Sequence, residues 1–373
     1  MKTPTRRTFL TIAGTTLAGP LILKSGVLGQ TTGAVNVGFI GVGGRGSSLL
    51  NTILKIPGVA VRAVCDINQE RLQKAQKIVA EKGQPSPEGF SEWKRLLERK
   101  DLEAVVSALP CDLHARCYLD VIAAGKDLYG EKPMCIAVAD CDTVVKAANA
   151  SKQIVQIGFQ RRADPRFIET IQQLHQGEIG DLVEGRVTWS NSWGPFFDWF
   201  GRRERSGDWM VEQAVHNWDI MNWVNRCRPA RAMGLGKDNL FRELQPDRNV
   251  HDYYAGVVQY ENGVIVNIIH SWIPPTKFGE EYTRLIGTKG GIDFNSGTFS
   301  YRPDQKRPDR VGHTATGQID STLLALEAFV NSVRTRQPSI ATVEHGRDAV
   351  LTCLLMREAV YKQKAVTLKE LLG

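Results

Sequence analysis

The chain has 373 residues, of which 42% are hydrophobic, and a formal net charge of +7. This length suffices for two domains with ordinary cores. The modest charge, without a dense run of Lys or Arg, gives no support for a nucleic-acid-binding protein. The seven cysteines are odd in number and include no C-x-x-C pair, so they do not form a disulfide framework.

The first 30 residues are typical of a targeting segment. Arg6 and Arg7 precede a mostly apolar run at 9–23, which is too short for a stable membrane span of about 20 residues. Twin arginines before an apolar run are typical of a signal that exports folded proteins. We therefore expect folded export to the periplasm, with an uncleaved membrane anchor as the alternative.

A nucleotide-binding pattern follows. Residues 35–40 form a β-prone apolar run, residues 41–46 read G-V-G-G-R-G, and a second apolar strand at 59–64 leads to Asp66. Glycines allow a tight turn and close approach of the backbone to a pyrophosphate, and the next helix N-terminus holds the phosphates. The dinucleotide-binding residues predicted here are Gly41, Gly43, Gly44, Arg45, Gly46 and Asp66.

The position of Asp66 also predicts which dinucleotide is bound. A carboxylate at this spacing accepts hydrogen bonds from the adenosine ribose and repels a 2′-phosphate, which favours NAD over NADP. Arg45 is an argument in the other direction, because a guanidinium there can pair with a phosphate.

The remaining elements indicate two domains. Up to residue 158, predicted helices at 68–82, 114–124 and 140–150 alternate with predicted strands at 102–109, 127–129 and 154–158, as in a parallel sheet with right-handed crossovers. After Phe159 come strand patterns at 182–190, 253–260, 264–270, 281–286 and 291–293, with Asn262-Gly263 as a hairpin turn. We predict an α/β protein, with a Rossmann-type domain at 35–158 and an α+β domain with a large, mostly antiparallel open sheet at 159–373.

Two further stretches carry groups suited to catalysis. Glu131-Lys132-Pro133 ends a predicted strand, where open α/β sheets bind ligands. In the segment 207–219, helical spacing places Glu212, His216 and Asp219 within about 60° of one helix face. We expect one helix that turns these polar groups toward a site.

Together these motifs resemble the glucose–fructose oxidoreductase/inositol dehydrogenase (Gfo/Idh/MocA) family. The resemblance rests on residues 41–46, on 108–110 with His114, on 125–133, on 158–162 and on the His216 helix. It implies an N-terminal Rossmann domain and a C-terminal domain whose open sheet is often used for oligomerisation. We accordingly expect a homodimer or homotetramer formed through that sheet.

The resemblance also assigns roles. Lys132 is expected near the nicotinamide and the reacting hydroxyl, and His216 as the general base and acid. Glu212 stands where the family usually has Asp, and either contacts the substrate hydroxyl or orients His216. Further cofactor contacts are expected from Leu109, Pro110, His114, Glu131, Lys132 and Gln160.

General chemistry agrees with those roles. Removing a hydride from a sugar C–H requires a base for the hydroxyl proton, and histidine suits neutral pH. An ammonium such as that of Lys132 stabilises the developing alkoxide. The alternative for His216 is a buried, hydrogen-bonded structural histidine.

Candidate substrate contacts lie in the second domain. Six of the eight tryptophans fall between 189 and 223, and sugars stack on aromatic rings. The substrate-binding residues predicted here are Arg161, Arg162, Trp193, Trp209 and Asp219. No second His or Cys stands at ligand spacing beside Glu212, His216 and Asp219, so we expect no metal.

These observations lead to three hypotheses about function. The first is an NAD-dependent oxidoreductase that acts on a secondary alcohol of a small-molecule sugar, cyclitol or glycoside. The second is a redox-neutral enzyme with tightly held NAD, either a sugar–sugar oxidoreductase or a glycosidase that works through a keto intermediate. The third is a non-catalytic sugar-binding protein on the same fold.

Overall fold

The computed structural model describes residues 34–192, 194, 198–238 and 240–373, and these residues belong to one compact unit. The predicted export segment lies outside the described residues. The elements of the first part are β1 (Val35–Ile40), α1 (Gly44–Ile53), β2 (Val59–Cys65), α2 (Gln69–Glu81), β3 (Glu88–Phe90), α3 (Trp93–Leu97), β4 (Ala104–Ser107), α4 (His114–Ala123), β5 (Asp127–Gly130), α5 (Val138–Asn149) and β6 (Val155–Ile157).

The strands of the first part form one parallel sheet in the order β3-β2-β1-β4-β5-β6. Every residue of β4 and β5 is buried, because helices cover both faces of a parallel sheet. The strand order reverses between β1 and β4, and ligands bind at such a point, beyond the carboxyl ends of the strands. The predicted Rossmann-type sheet is confirmed.

The strands of the second part of the chain form another sheet, and this part contains the remaining helices and strands. They are α6 (Pro165–His175), β7 (Leu182–Ser190), α7 (Arg203–Ser206), α8 (Trp209–Glu212), α9 (Val215–Asn225), β8 (Pro229–Lys237), β9 (Tyr253–Tyr260), β10 (Ile265–Ser271), β11 (Glu280–Gly287), β12 (Gly290–Asp293), β13 (Thr298–Tyr301), β14 (Arg310–Val311), α10 (Ser321–Thr335), α11 (Val343–Lys362), β15 (Val366–Thr367) and α12 (Leu368–Leu372).

This sheet has nine strands in the order β14-β13-β12-β11-β7-β10-β9-β8-β15. Its pairings are antiparallel apart from β7 with β10, which confirms the mostly antiparallel sheet. The predicted hairpin at Asn262-Gly263 joins β9 to β10, with Gly263 at φ +86°.

Strand β8 was not predicted from the sequence, because its glycines face the protein interior and its large apolar side chains face outward. Helix α11 packs so closely on it that a Cβ on Gly234 or Gly236 would lie 2.9 or 2.8 Å from Val360. The large apolar side chains Met233 and Leu235 instead face outward, 56% and 62% exposed. A prediction from strand periodicity assumes instead that the large apolar side chains face the core.

Helix α10 lies late in the sequence but packs on the first sheet. Its residues Leu326, Phe329 and Val330 share a core with strand β1. Arg334 also donates hydrogen bonds to the carbonyl oxygens of Pro57 and Gly58. The boundary at 158/159 stays a prediction, and α10 shows that the chain crosses back over it. Among the described residues, no helix is long and apolar enough to cross a membrane.

Candidate active site

The glycine loop lies at the switch point of the first sheet. Gly41 has φ +81°, and a Cβ there would lie 2.3 Å from the Ala108 carbonyl oxygen. A Cβ on Gly46 would lie 2.0 Å from the Gly41 carbonyl oxygen. Gly44, at the start of α1, has no atom within 4 Å of its Cβ position. Two glycines are therefore required by the fold, and Gly44 leaves open space at a helix N-terminus, where phosphates bind.

Asp66 is fixed against this loop at the end of β2. Its Oδ2 accepts a hydrogen bond from the Val42 N–H at 2.9 Å, and its Oδ1 accepts one from the Asn68 N–H at 2.9 Å. Each carboxylate oxygen keeps a further lone pair for a ribose hydroxyl. Arg71 lies beside Gly43, 3.5 Å from its Cβ position. Ile67, next to Asp66, is 93% exposed on the cleft wall and offers an apolar surface to a base.

Arg45 is paired with a protein carboxylate. Its Nε donates to Glu131 Oε1 at 2.7 Å, and Glu131 is 4% exposed. Because Glu131 already neutralises it, Arg45 is a weaker argument for NADP than the sequence suggested. Gly43 and both of these residues line the same cleft.

The opposite wall follows β4. Leu109 and Pro110, which we expect to contact the cofactor, line the cleft. His114 does not, because it is only 1% exposed. Its Nδ1 lies 2.6 Å from the Pro133 carbonyl oxygen and its Nε2 lies 2.9 Å from that of Leu109. His114 thus contacts, from the protein interior, the backbone of the Leu109 and Pro133 segments.

Lys132 closes the inner end of the cleft. Its Nζ forms an ion pair with the Glu212 carboxylate and donates to the Glu212 carbonyl oxygen at 2.7 Å. The Lys132 and Glu212 side chains are 14% and 13% exposed. Burial by itself would lower the pKa of Lys132, but Glu212 and Glu131 outweigh it and raise that pKa. The side chain is therefore an ammonium, which stabilises negative charge and does not act as a base.

His216 lies on a different helix from Glu212, so the prediction of one continuous helix is wrong. Helix α8 ends at Glu212 and α9 begins at Val215. Between them, Gln213 Oε1 accepts hydrogen bonds from Trp272 Nε1 at 3.0 Å and, in one tautomer, from His270 Nε2 at 3.1 Å. Gln213 is thus held by these two side chains at the break between the helices. As a result, Glu212 lies on α8 and His216 lies on α9.

The His216 imidazole is 8% exposed and meets the Phe159 ring edge-on at 6.3 Å. Burial lowers its pKa well below 6.5, and the positive charges of Lys132, Arg161 and Arg45 lower it further. The ring is therefore neutral at physiological pH, which is the form that accepts a proton.

The predicted substrate residues fall into different places. Arg162 forms a bidentate pair with Asp219 at 2.7–3.0 Å, and the two side chains are 7% and 2% exposed. Arg161 lies between the Phe167 and Trp189 rings and pairs with Glu281 at 3.5 Å. Arg162 and Asp219 satisfy each other, whereas the charge of Arg161 acts on His216.

Three other predicted residues are placed as follows. Gln160 lines a neighbouring cavity of about 630 Å³ beside Arg161, and its Oε1 is buried without a hydrogen-bond partner. Trp209 is fully buried, and its ring packs 4.3 Å from that of Trp272. Trp193 lies outside the described residues.

The cleft as a whole measures about 680 Å³ and runs from the glycine loop to Lys132 and Glu212. An open helix N-terminus, a carboxylate fixed beside it and an ammonium at the far end fit a nicotinamide dinucleotide bound in that direction. Among the lining residues that were not predicted as site residues, three come from beyond residue 159, namely Asp198, Trp199 and Arg205. Trp199 belongs to the tryptophan-rich span 189–223, and this enrichment is the feature of the sequence that could have indicated it as a site residue.

Comparison with known proteins agrees with this geometry. Residues 35–159 match the family described as "Oxidoreductase family, NAD-binding Rossmann fold", and residues 167–293 match the "GFO/IDH/MocA C-terminal domain". The chain belongs to the Gfo/Idh/MocA family. It is an NAD-binding oxidoreductase of the class that acts on CH–OH groups.

Relatives within the Gfo/Idh/MocA family differ in name. An alpha-N-acetylgalactosaminidase from Bacteroides fragilis is 33% identical over 288 residues, which is 69% of this chain and 67% of the relative. A myo-inositol 2-dehydrogenase from Thermotoga maritima is 22% identical over 345 residues, covering 91% of this chain and all of the relative. The scyllo-inositol dehydrogenase of Lactobacillus casei, solved with NAD(H) and scyllo-inositol, shares the fold with a TM-score of 0.75 at 21% identity, covering 90% and 99% of the two chains.

The part of this Gfo/Idh/MocA chain that the structure describes contains no group of three His, Cys, Asp or Glu side chains placed to hold a metal ion. Asp219 is engaged by Arg162, and the Glu212 carboxylate is engaged by Lys132. Both charges are therefore balanced by protein cations.

Proposed function

We propose that this protein oxidises a secondary hydroxyl of a sugar, cyclitol or glycoside, with His216 as the base. The observation that carries the proposal is the pairing of opposite protonation states: an ammonium at the inner end of the cleft, and a neutral imidazole outside the cleft lining but close enough for the ammonium to lower its pKa. Lys132 is held as an ammonium by Glu212, whereas the nearby His216 is held neutral. One group is thereby suited to stabilise an alkoxide and the other to accept its proton.

Each residue then has a defined task in the step. Bound NAD supplies the hydride acceptor. The His216 imidazole takes the hydroxyl proton as the carbonyl forms, and Lys132 stabilises the oxygen while its negative charge develops. Glu212 holds Lys132 in place through both its carboxylate and its carbonyl oxygen. In the reverse direction, the imidazolium returns the proton to the oxygen.

Replacing His216 by Ala tests the assignment. We expect kcat for NADH formation to fall by about 10²- to 10⁴-fold on the best substrate of a sugar and cyclitol panel. The affinity for NAD should remain unchanged, because His216 is not among the residues that line the cofactor cleft. His313→Ala is the matched control, because the His313 ring contacts the Ala315 carbonyl oxygen within its own loop. An H216A variant with normal kcat would remove His216 from the reaction.

A second candidate function is glycoside hydrolysis without net oxidation. It is favoured by the 33% identity to an alpha-N-acetylgalactosaminidase. In this reaction a hydroxyl at C3 is first oxidised to a ketone, which acidifies the C2 proton. Loss of that proton expels the aglycone from C1, water adds at C1, C2 regains a proton, and the hydride returns to C3. The net change is hydrolysis, with the oxidised cofactor restored.

Deuterium labelling distinguishes the two reactions. A redox-neutral glycosidase incorporates solvent deuterium at the carbon next to the oxidised one and releases free sugar without accumulating NADH. A simple dehydrogenase accumulates NADH in proportion to oxidised sugar and leaves that carbon unlabelled until the product ketone exchanges. Cofactor that stays with the protein after extensive dialysis supports the first outcome.

We further propose export and self-association. Twin Arg6-Arg7 before an apolar run supports folded export, and an exported enzyme has little free NAD around it, so the cofactor would remain bound. The outward face of the second sheet carries Leu235, Ile265 and Ile269 at 62%, 43% and 41% exposure, which supports pairing with a second copy. Fractionation of the cells and analytical ultracentrifugation test the two proposals separately.

A further inference from the structure

A tryptophan with no role in the proposed chemistry lies on the wall of the cleft. Trp199 belongs to the 3₁₀ turn Asp198–Gly201 and lines the same cleft as Lys132 and Glu212. Its ring is partly exposed and packs on Phe200 at 5.3 Å, and Phe200 packs on the buried Trp272 at 5.0 Å. The aromatic core behind it therefore supports Trp199 as a rigid surface.

Polar groups surround this surface. Arg205 Nε lies 3.5 Å from Asp112 Oδ2, and its Nη1 lies 3.6 Å from Asp198 Oδ1. Asp112 belongs to the turn that follows Pro110 on the opposite wall, so the cluster bridges the two sides of the cleft. Asp112 Oδ1 is buried without a hydrogen-bond partner. Asp112 lies between Cys111 and Leu113, which line the cleft, and holds Arg205 from that side.

The cluster lies on the solvent side of the reacting groups. The Lys132 and His216 side chains are almost buried, whereas the Asp198 side chain is 79% exposed. Because Trp199 and Lys132 line the same cleft, the part of a sugar that extends beyond its reacting hydroxyl can contact Trp199. An aromatic face edged by carboxylates and a guanidinium suits a second ring that bears hydroxyls.

We propose that Trp199, Asp198 and Arg205 form a subsite for the aglycone, in which Trp199 stacks on its ring and Asp112 positions Arg205. The substrate is then a glycoside with a ring-shaped aglycone, not a free monosaccharide or cyclitol. This inference rests on the proposed function, because it takes Lys132 and His216 as the reacting end.

Binding to the NADH-loaded protein tests the subsite without turnover. The probes are matched 4-nitrophenyl and methyl glycosides of N-acetylgalactosamine, galactose and glucose, measured by calorimetry. We expect the nitrophenyl member of the best pair to bind roughly 3- to 10-fold more tightly, the gain expected from aromatic stacking. Trp199→Ala should abolish this difference, Trp199→Phe should retain most of it, and the exposed Phe278→Ala should not change it.

Two results would overturn the subsite. One is equal binding of both members of every pair to the natural protein, or no binding of either. The other is a Trp199→Ala variant that keeps the full difference or weakens both members alike. A retained difference in binding together with no hydride transfer from any glycoside would instead refute the proposed oxidation and leave the subsite standing.

Discussion

Replacing Lys132 by Met removes an ammonium on which both stability and catalysis are expected to depend. The substitution leaves the Glu212 carboxylate without its cation at 13% exposure. Removing one partner of a buried ion pair costs about 3–5 kcal/mol of unfolding free energy. Removing a group that stabilises an oxyanion costs about 10²- to 10³-fold in kcat. We expect both losses in the single variant.

The double variant K132M/E212Q distinguishes them. A neutral amide at 212 no longer leaves a buried charge unpaired, so urea unfolding should recover most of the lost free energy. The rate of NADH formation at saturating substrate should remain 10²- to 10³-fold low, within about the range of the single variant. The double variant thus keeps a stable cleft that lacks the stabilising charge.

Lys126→Met is the control for losing a buried lysine. Lys126 Nζ donates to the carbonyl oxygens of Arg99 and Leu102 and takes no part in the cleft. Its loss should reduce stability and leave kcat unchanged. If K132M retains normal kcat, or if the double variant regains it, Lys132 does not stabilise the reacting oxygen.

Three other predictions follow from single contacts. Because burial, together with the nearby positive charges, holds the pKa of His216 well below 6.5, kcat/KM for oxidation should stay level as the pH falls through 6.5, and a loss centred at or above 6.5 would contradict this. Gly41→Ala should lower Tm by at least about 3 °C, because its φ of +81° is strained for other residues; Gly44→Ala should leave Tm unchanged. Asp219→Ala should cost about 3–5 kcal/mol in urea unfolding by stranding Arg162, with KM unchanged; a raised KM at normal stability would instead make Asp219 a substrate contact.

The cofactor half of the site was predictable because its signals are local. The glycines of 41–46 are required by contacts within the loop and with the adjacent strand. Asp66 follows from its spacing along one strand. The rest of that sheet was predictable for two reasons. Crossovers between parallel strands are right-handed, and strands buried on both faces are visible in the sequence as apolar runs.

The substrate half was less predictable because distant contacts decide it. The helix carrying His216 is broken at Gln213, whose partners His270 and Trp272 lie more than 50 residues away in sequence. Trp209 and Trp199 both belong to the tryptophan-rich span 189–223, yet Trp209 is in the core and Trp199 lines the cleft. Only the packing of the second sheet separates such residues.

The Asp66 carboxylate, which we expect to contact the ribose, also accepts a hydrogen bond from the Val42 amide, and this second role constrains any redesign toward NADP. Replacing it by Ala would remove the repulsive charge and, in the same step, leave the loop amide without its acceptor. Asp66→Ser removes the charge but keeps an oxygen on the side chain. Cofactor exchange in this enzyme should therefore begin from Ser at position 66, with Arg71 already beside the loop to receive the added phosphate.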